Sequence, residues 1–501
     1  MFSARRISGA DIAVVLLAMV LAIATLSFRL SWQDYWWDEH VTLMFTRSGW
    51  HELMVQYWGL DTHRPVYYGL QKAWNGVFGE SVTAVRSLPI FLTVLIIPLF
   101  YGVARRTGPA IMAPLAVILL ASAPMFIEQG REARMYCLMN LSLAGALYLA
   151  VRLAVHARQS EYADGMNPRA MRWLWVGFAA LQAAAFYAQA MALFVSGLFG
   201  LWIIIGAATG LLPKRFLWQA MVAAGLYVIL ILPALQPFLG HYQNTIGGSF
   251  WVPDLSVEYV YGQTTAAYPY PAWGKVIVAL LLLWGLWSLR KTPDIGLLLG
   301  LMMVGLPLVV LAVSFVKPIY MERVIAWGSI VSILVLAAGL VNMRPALRWA
   351  AVVVVLVAQM ISAYKFYPPA PEISPYDSFA EAFTDFDVQQ DALVLSYQML
   401  EPAMRWYYPE AFEGAAYGFI HNDWNRNVID AAMRSKFVKR ADAGKIVLPG
   451  GRLFVVSQTT WKEPIPKEHE VTQAIKTLVE GRAPLTTITA DGVRMDIYPP
   501  K

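Results

Sequence analysis

Four clusters of ionisable and aromatic residues stand out against an otherwise apolar chain. The first is Trp36-Trp37-Asp38-Glu39, two adjacent carboxylates behind a pair of tryptophans. A carboxylate can take the proton from an acceptor hydroxyl while that oxygen attacks an anomeric carbon. The second, Asp61-Thr62-His63-Arg64-Pro65-Val66-Tyr67-Tyr68, mixes an acid, an imidazole, a cation and two tyrosines. The third is Glu128-Gln129-Gly130-Arg131-Glu132-Ala133-Arg134-Met135-Tyr136. Arg131 and Arg134 are three residues apart, so on a helix they share a face, and paired guanidinium groups suit a phosphate. The fourth, Lys317-Pro318-Ile319-Tyr320-Met321-Glu322-Arg323, offers further cations for the same anion.

Each cluster has a plainer reading. Tryptophans and solvated acids form interfacial belts. Pro65 suits the first turn of a helix. Arg131 and Arg134 could be neutralised by Glu128 and Glu132, and Lys317 and Arg323 could reach headgroups as long amphipathic side chains. Asp38, Asp61 and His63 also have the ligand types of a divalent-cation site, though their spacing is not specific. No cofactor is otherwise implied.

The elements that must position these clusters are membrane spans. The chain has 501 residues, 58% hydrophobic and 14% charged, against roughly 25% charged in soluble domains. Apolar stretches long enough to span a bilayer of about 30 Å lie near 10–30, 84–104, 109–127, 136–155, 172–188, 191–210, 217–235, 273–289, 295–315, 323–342 and 347–365. The first follows Arg5 and Arg6 and reads as an uncleaved span rather than a signal peptide. Arginines and lysines concentrate in alternate connections: Arg105, Arg106, Arg152, Arg158, Lys214, Arg215, Arg290, Lys291, Arg344 and Arg348. By the positive-inside rule these face the cytoplasm. The N-terminus is then cytoplasmic. Residues 31–83, the turns at Glu128–Arg134 and Lys317–Glu322, the segment 236–272 and everything after about 366 face outward. All four clusters fall on that outer side.

The net charge of +6 is spread between apolar blocks, which argues against nucleic-acid binding. The single cysteine, Cys137, excludes an internal disulfide framework. The domains expected are a transmembrane region over 1–366, with outer loops 31–83 and 236–272, and a small external α/β domain over 367–501. In that domain Ala392–Ser396, Leu453–Ser457 and Val493–Tyr498 read as strands, and Val428–Lys439 and Val471–Glu480 as helices.

At these residues the chain resembles bacterial glycosyltransferase family 39, the protein-mannosyltransferase-like group that includes lipid A aminoarabinose and galacturonic acid transferases. The resemblance covers roughly residues 10–345. It rests on the acidic pair Asp38-Glu39 after the first span and on Arg64-Pro65-Val66-Tyr67-Tyr68, a partial match to a Pro-Pro-Leu-Tyr-Tyr element. It also rests on Glu132-Ala133-Arg134-Met135-Tyr136 after the third span, and on Pro318, Tyr320 and Arg323 before a late one. Arg64 departs from the pattern, where the family has a proline.

The resemblance implies a GT-C fold of about eleven transmembrane helices and a polyprenyl-phosphate sugar donor. It implies inversion at the anomeric carbon with Asp38 as the catalytic acid/base residue. Arg134 and Arg323, with Arg131 or Lys317 in support, would hold the departing phosphate, beside Tyr136 and Tyr320. Asp61, His63, Arg64, Tyr67, Glu128 and Glu132 would line the acceptor side. The acceptor would be a lipid, a glycan or a protein on the periplasmic face of a bacterial inner membrane. A flippase for a lipid-linked sugar is the rival reading, but transporters favour charges near the midplane and paired broken helices. An oligosaccharide-transferring enzyme with the same acidic loop is a third.

Overall fold

The computed structural model describes residues 7–59, 65–160, 168–246, 252–420, 432–459 and 468–500. The chain divides into two compact units. One comprises residues 1–30, 62–239 and 250–369, and the other 31–61, 240–249 and 370–501.

The first unit is helical. Among the described residues eight helices are long and apolar enough to cross a membrane: Gly9–Trp32, Val82–Thr107, Tyr136–His156, Arg215–Gln236, Ala272–Lys291, Pro293–Ser314, Glu322–Val341 and Pro345–Phe366. A ninth is formed if Met112–Ala121 and Pro124–Arg131, bent by 52° at their junction, make one span. Further helices run over Pro168–Ala188 and Ala192–Ala208, so a helix stands at each of the eleven stretches expected. The chain is a multi-pass helical membrane protein.

The bend has a local cause. Pro124 opens the second half-helix, and Ala123 before it is extended, at φ −69° and ψ 127°. A residue preceding proline is pushed out of the α region, and proline has no N–H to continue the ladder. The expected turn at Glu128–Arg134 is therefore partly helix. Glu128 and Arg131 lie on the second half-helix, which ends at Arg131, and Glu132 is extended. Arg131 and Arg134 do not share a helical face as their spacing predicts.

Glu322–Val341 is the innermost span, with 94% of its apolar window buried, whereas the Gly9–Trp32 window is 17% buried. Small residues permit that burial. A Cβ added at Gly339 would lie 2.7 Å from the carbonyl oxygen of Leu281 on the neighbouring span. In a bilayer close backbone approach at small residues is what drives helix association.

The second unit is built on a six-stranded sheet of order β3-β2-β1-β4-β6-β5. The strands are β1 Ala392–Leu395, β2 Ala415–Ile420, β3 Lys436–Lys439, β4 Leu453–Gln458, β5 Thr486–Ala490 and β6 Val493–Tyr498. β1 to β4 are mutually parallel, and β6 runs antiparallel between β4 and β5. Side chains alternate across the pleat. Leu393, Leu395, Phe454 and Val456 join a core with Phe379, Leu400 and Met404 on one face. Ala392, Val394, Leu453 and Val455 join Ala474 and Leu478 of the helix Glu468–Val479 on the other. A sheet covered on both faces is the α/β arrangement the strand and helix periods predict.

One element differs from expectation. Lys436–Lys439, the end of the segment read as a helix over Val428–Lys439, is a strand pairing in register from Tyr417↔Lys436; residues 428–431 lie outside the described ones. Its lysines suit an edge position, where charge discourages further pairing.

Candidate active site

The membrane unit brings the third and fourth clusters together. The half-helix Pro124–Arg131 packs against the span Glu322–Val341. Glu128 then lies within electrostatic reach of both Glu322 and Arg323. Arg323 Nε stands 3.7 Å from Glu322 Oε1. Ionisable groups at the ends of membrane helices are costly to hold there without a task, and here acids and a cation converge from two elements remote in sequence.

Within the third cluster Arg131 is fastened to the first helix. The Arg131 guanidinium donates to the carbonyl oxygens of Leu26 at 2.8 Å and Phe28 at 2.6 Å. Its carbon also sits 4.8 Å from the centre of the Tyr367 ring, and the Tyr367 hydroxyl donates to the carbonyl of Thr25. Arg131 thus satisfies the last carbonyls of the helix Gly9–Ser27, where a cation also complements the helix dipole. Gly130 allows the approach, since a Cβ there would lie 2.7 Å from Leu26 Cδ2 and 2.8 Å from Thr93 Cγ2. Arg134 lies beyond the helix end, buried at 5% exposure. Its carbonyl accepts the Cys137 thiol at 3.2 Å. Tyr136 opens the next span and is buried; Glu132 is half-buried.

Tyr67 is buried, donates its hydroxyl to Gln71 Oε1 at 3.0 Å and reaches the Cys137 thiol. It therefore stands beside the turn that carries Arg134 and Tyr136. Asp61, His63 and Arg64 lie outside the described residues. Among the described residues no three His, Cys, Asp or Glu side chains group as metal ligands do.

In the fourth cluster, Lys317 is half-buried in the turn before the innermost span. The Tyr320 hydroxyl is 2.8 Å from Thr264 Oγ1, and Gln263 Oε1 accepts the Glu322 backbone N–H at 2.9 Å. Both partners belong to the helix Val257–Ala267. Gln263 and Thr264 escaped the sequence reading. Neither side chain carries a charge, and nothing in their spacing indicates a partner some 60 residues away.

The second unit holds the acidic pair. Asp38 and Glu39 begin the helix Trp37–Arg47. Glu39 is fully buried, and its Oε2 accepts the Trp36 backbone N–H at 3.4 Å, closing the first turn. Asp38, next to it, is 9% exposed. A carboxylate in a first turn is favoured by the helix dipole, so both acids also suit the helix start.

The helix is fixed to the α/β domain by polar and aromatic contacts. Trp37 Nε1 donates to the Met399 carbonyl at 2.8 Å. The Tyr407 hydroxyl donates to both oxygens of Asp34 at 2.9 Å. Burial, with the nearby Asp34 charge, holds the Tyr407 pKa well above the usual phenol range. The Arg47 guanidinium sits 4.0 Å from the Trp406 ring centre, a cation–π contact. Tyr376 stacks on Tyr407 at 5.6 Å, and His40 packs on both. Residues 34–47 are thereby seated on the helix Glu401–Tyr407, which follows β1.

No family model and no curated protein matches the chain. Solved structures do. The chain is similar to ArnT from Cupriavidus metallidurans in the apo state, at 12% identity and a TM-score of 0.67, over 98% of this chain and 97% of that one. The same protein bound to undecaprenyl phosphate gives 12% identity and a TM-score of 0.63, over 98% of each chain. The archaeal oligosaccharyltransferase AglB from Archaeoglobus fulgidus, in complex with an inhibitory peptide and a dolichol-phosphate, is similar at 11% identity and a TM-score of 0.56, over 90% of this chain and 69% of that one. At such identities the likeness concerns the fold. What the chain shares with them is a helical membrane region with a small α/β domain.

Proposed function

We propose that the chain is a membrane glycosyltransferase that moves a sugar from a polyprenyl-phosphate donor to a hydroxyl of a lipid, glycan or protein. The observation that carries this reading is the meeting of the half-helix Pro124–Arg131 with the span Glu322–Val341, which puts Glu128 within electrostatic reach of Arg323. A phosphate leaving group gains negative charge as the glycosidic bond breaks, and preset cations stabilise it. Likeness in fold to a protein solved with undecaprenyl phosphate supports a lipid-borne donor.

Asp38 takes the proton from the acceptor hydroxyl. That oxygen attacks the anomeric carbon, the bond from this carbon to the phosphate oxygen breaks, and the configuration inverts. Arg134 and Arg323 neutralise the departing phosphate, with Lys317 in support and Tyr136 and Tyr320 shaping its surroundings. Arg131, engaged with the first helix, holds the turn that carries Arg134. Glu39 secures the helix start beside Asp38. We assign Glu128 and Glu132 to the acceptor side, with Tyr67 packed behind them, and Asp61, His63 and Arg64 on their residue types alone; Asp38, Asp61 and His63 are ligand types that a divalent cation would take. The N-terminus faces the cytoplasm of a bacterial inner membrane, and the α/β domain faces the periplasm.

Purified protein in liposomes, given a labelled polyprenyl-phosphate sugar and a membrane extract as acceptor source, should release free polyprenyl phosphate. Translocation of the intact donor without release would instead make the chain a flippase.

A further inference from the structure

A second cationic site stands at the other end of the same helices. Arg152 lies 16 residues beyond Tyr136 on the helix Tyr136–Ser160, about 24 Å along the axis at 1.5 Å per residue. That places it near the far edge of a bilayer core of about 30 Å. The helix packs against Ile96–Thr107, whose last turn carries Arg105 and Arg106.

The arginines of this membrane face divide into two kinds. Arg105 pairs with Asp11 at 3.7 Å. Arg158 holds Asp294 through short charge-assisted hydrogen bonds, the nearest at 2.6 Å. Arg106 and Arg152 differ: no carboxylate among the described residues pairs with either. Both face one ring, with the Arg106 guanidinium 5.0 Å and that of Arg152 5.8 Å from the centre of Tyr148. Two like charges on one ring repel, and an anion would relieve them.

The backbone makes room for this arrangement. A Cβ added at Gly102 would lie within 3.0 Å of Tyr148 Cδ2 and 3.5 Å of Arg106 Nη1. Only glycine lets the ring lie against that helix. Arg106 Nη1 donates to the Gly102 carbonyl at 2.9 Å, which fixes the guanidinium beside the ring. All three side chains are half-buried, positioned yet accessible.

We propose that Arg106 and Arg152, gathered on the Tyr148 ring, bind the phosphate of an anionic phospholipid. The leaflet is the one opposite the proposed chemistry. Two guanidinium groups at a headgroup level offer bidentate hydrogen bonds to phosphate oxygens, and basic pockets between membrane helices are where such headgroups lodge. The proposal is independent of sugar transfer.

Native mass spectrometry of the full chain in detergent, titrated with phosphatidylglycerol or phosphatidylcholine, tests it. The natural chain should retain phosphatidylglycerol preferentially. R152Q and R106Q should each weaken retention by about fivefold, and together by about tenfold or more, with little change in phosphatidylcholine binding. Y148F should retain the lipid, because both charges remain. A folded R106Q/R152Q chain that holds phosphatidylglycerol as the natural one does would overturn the proposal. If the double variant does not fold, R152Q decides, because Arg152 stands over the Tyr148 ring and pairs with no carboxylate among the described residues. Inorganic phosphate is the remaining arm. If it displaces phosphatidylglycerol from the natural chain, the site takes a free anion and the lipid assignment fails.

Discussion

Asp34 accepts the Tyr407 hydroxyl through both carboxylate oxygens, each at 2.9 Å, across more than 370 residues of sequence. This contact, with Trp37 on the Met399 carbonyl, fastens the acid-bearing helix to the α/β domain. On the function proposed above, that domain would orient Asp38. Tyr407→Phe should cost about 1–2 kcal/mol, as expected for a hydrogen bond to a charged acceptor. Faster protease cleavage within residues 31–59 would register the loss. Turnover should fall about tenfold with donor affinity unchanged, because a small misplacement of a catalytic group is expensive.

Arg131 and Arg134 should separate by readout. Arg131→Gln removes the partner of the Leu26 and Phe28 carbonyls, so its main effect should be a lower unfolding temperature in detergent, from a loss of about 2–3 kcal/mol. Arg134→Lys keeps the charge and loses the bidentate fork. It should leave unfolding nearly unchanged and raise the donor KM by about tenfold. Equal loss of stability in both variants would contradict the division.

Gly130→Ala should be destabilising although alanine is the better helix former. The added methyl would meet Leu26 and Thr93 at less than van der Waals distance, and overpacking costs about 1–3 kcal/mol. Thermal unfolding against a Gly197→Ala control, where a Cβ meets nothing within 4 Å, isolates the steric effect.

Tyr320 and Thr264 form one hydrogen bond between the late turn and the helix Val257–Ala267. Tyr320→Phe and Thr264→Val should each cost about 1 kcal/mol, and the double variant scarcely more than either. A fully additive pair would show that the contact does not couple them.

Much of this was legible in the sequence for identifiable reasons. Apolar length marks a span whatever it packs against, so helices stand where all eleven stretches predict them. β1, β4 and β6 announce themselves by unbroken apolar or alternating runs. β3 does not. Phe437 and Val438 between lysines become a strand only by pairing with β2, a long-range event. β2 is hidden by Gly418, which the close approach of Gln398 requires; a Cβ there would lie 3.0 Å from Gln398 Cβ. The cations of the third cluster were legible as a group, but the contact of Arg131 with the first helix was not. Helical spacing puts Arg131 and Arg134 on one face, and the helix ends between them. The seating of residues 34–47 on the α/β domain leaves no local trace at all, because its partners lie beyond residue 370.

The most direct measurement is turnover by Asp38→Asn in liposomes, read as free polyprenyl phosphate released from a labelled donor. The account predicts a fall of about 10²–10⁴-fold, with donor binding and unfolding temperature equal to those of the natural chain. Near-normal release by that variant would contradict the assignment of Asp38 as the base.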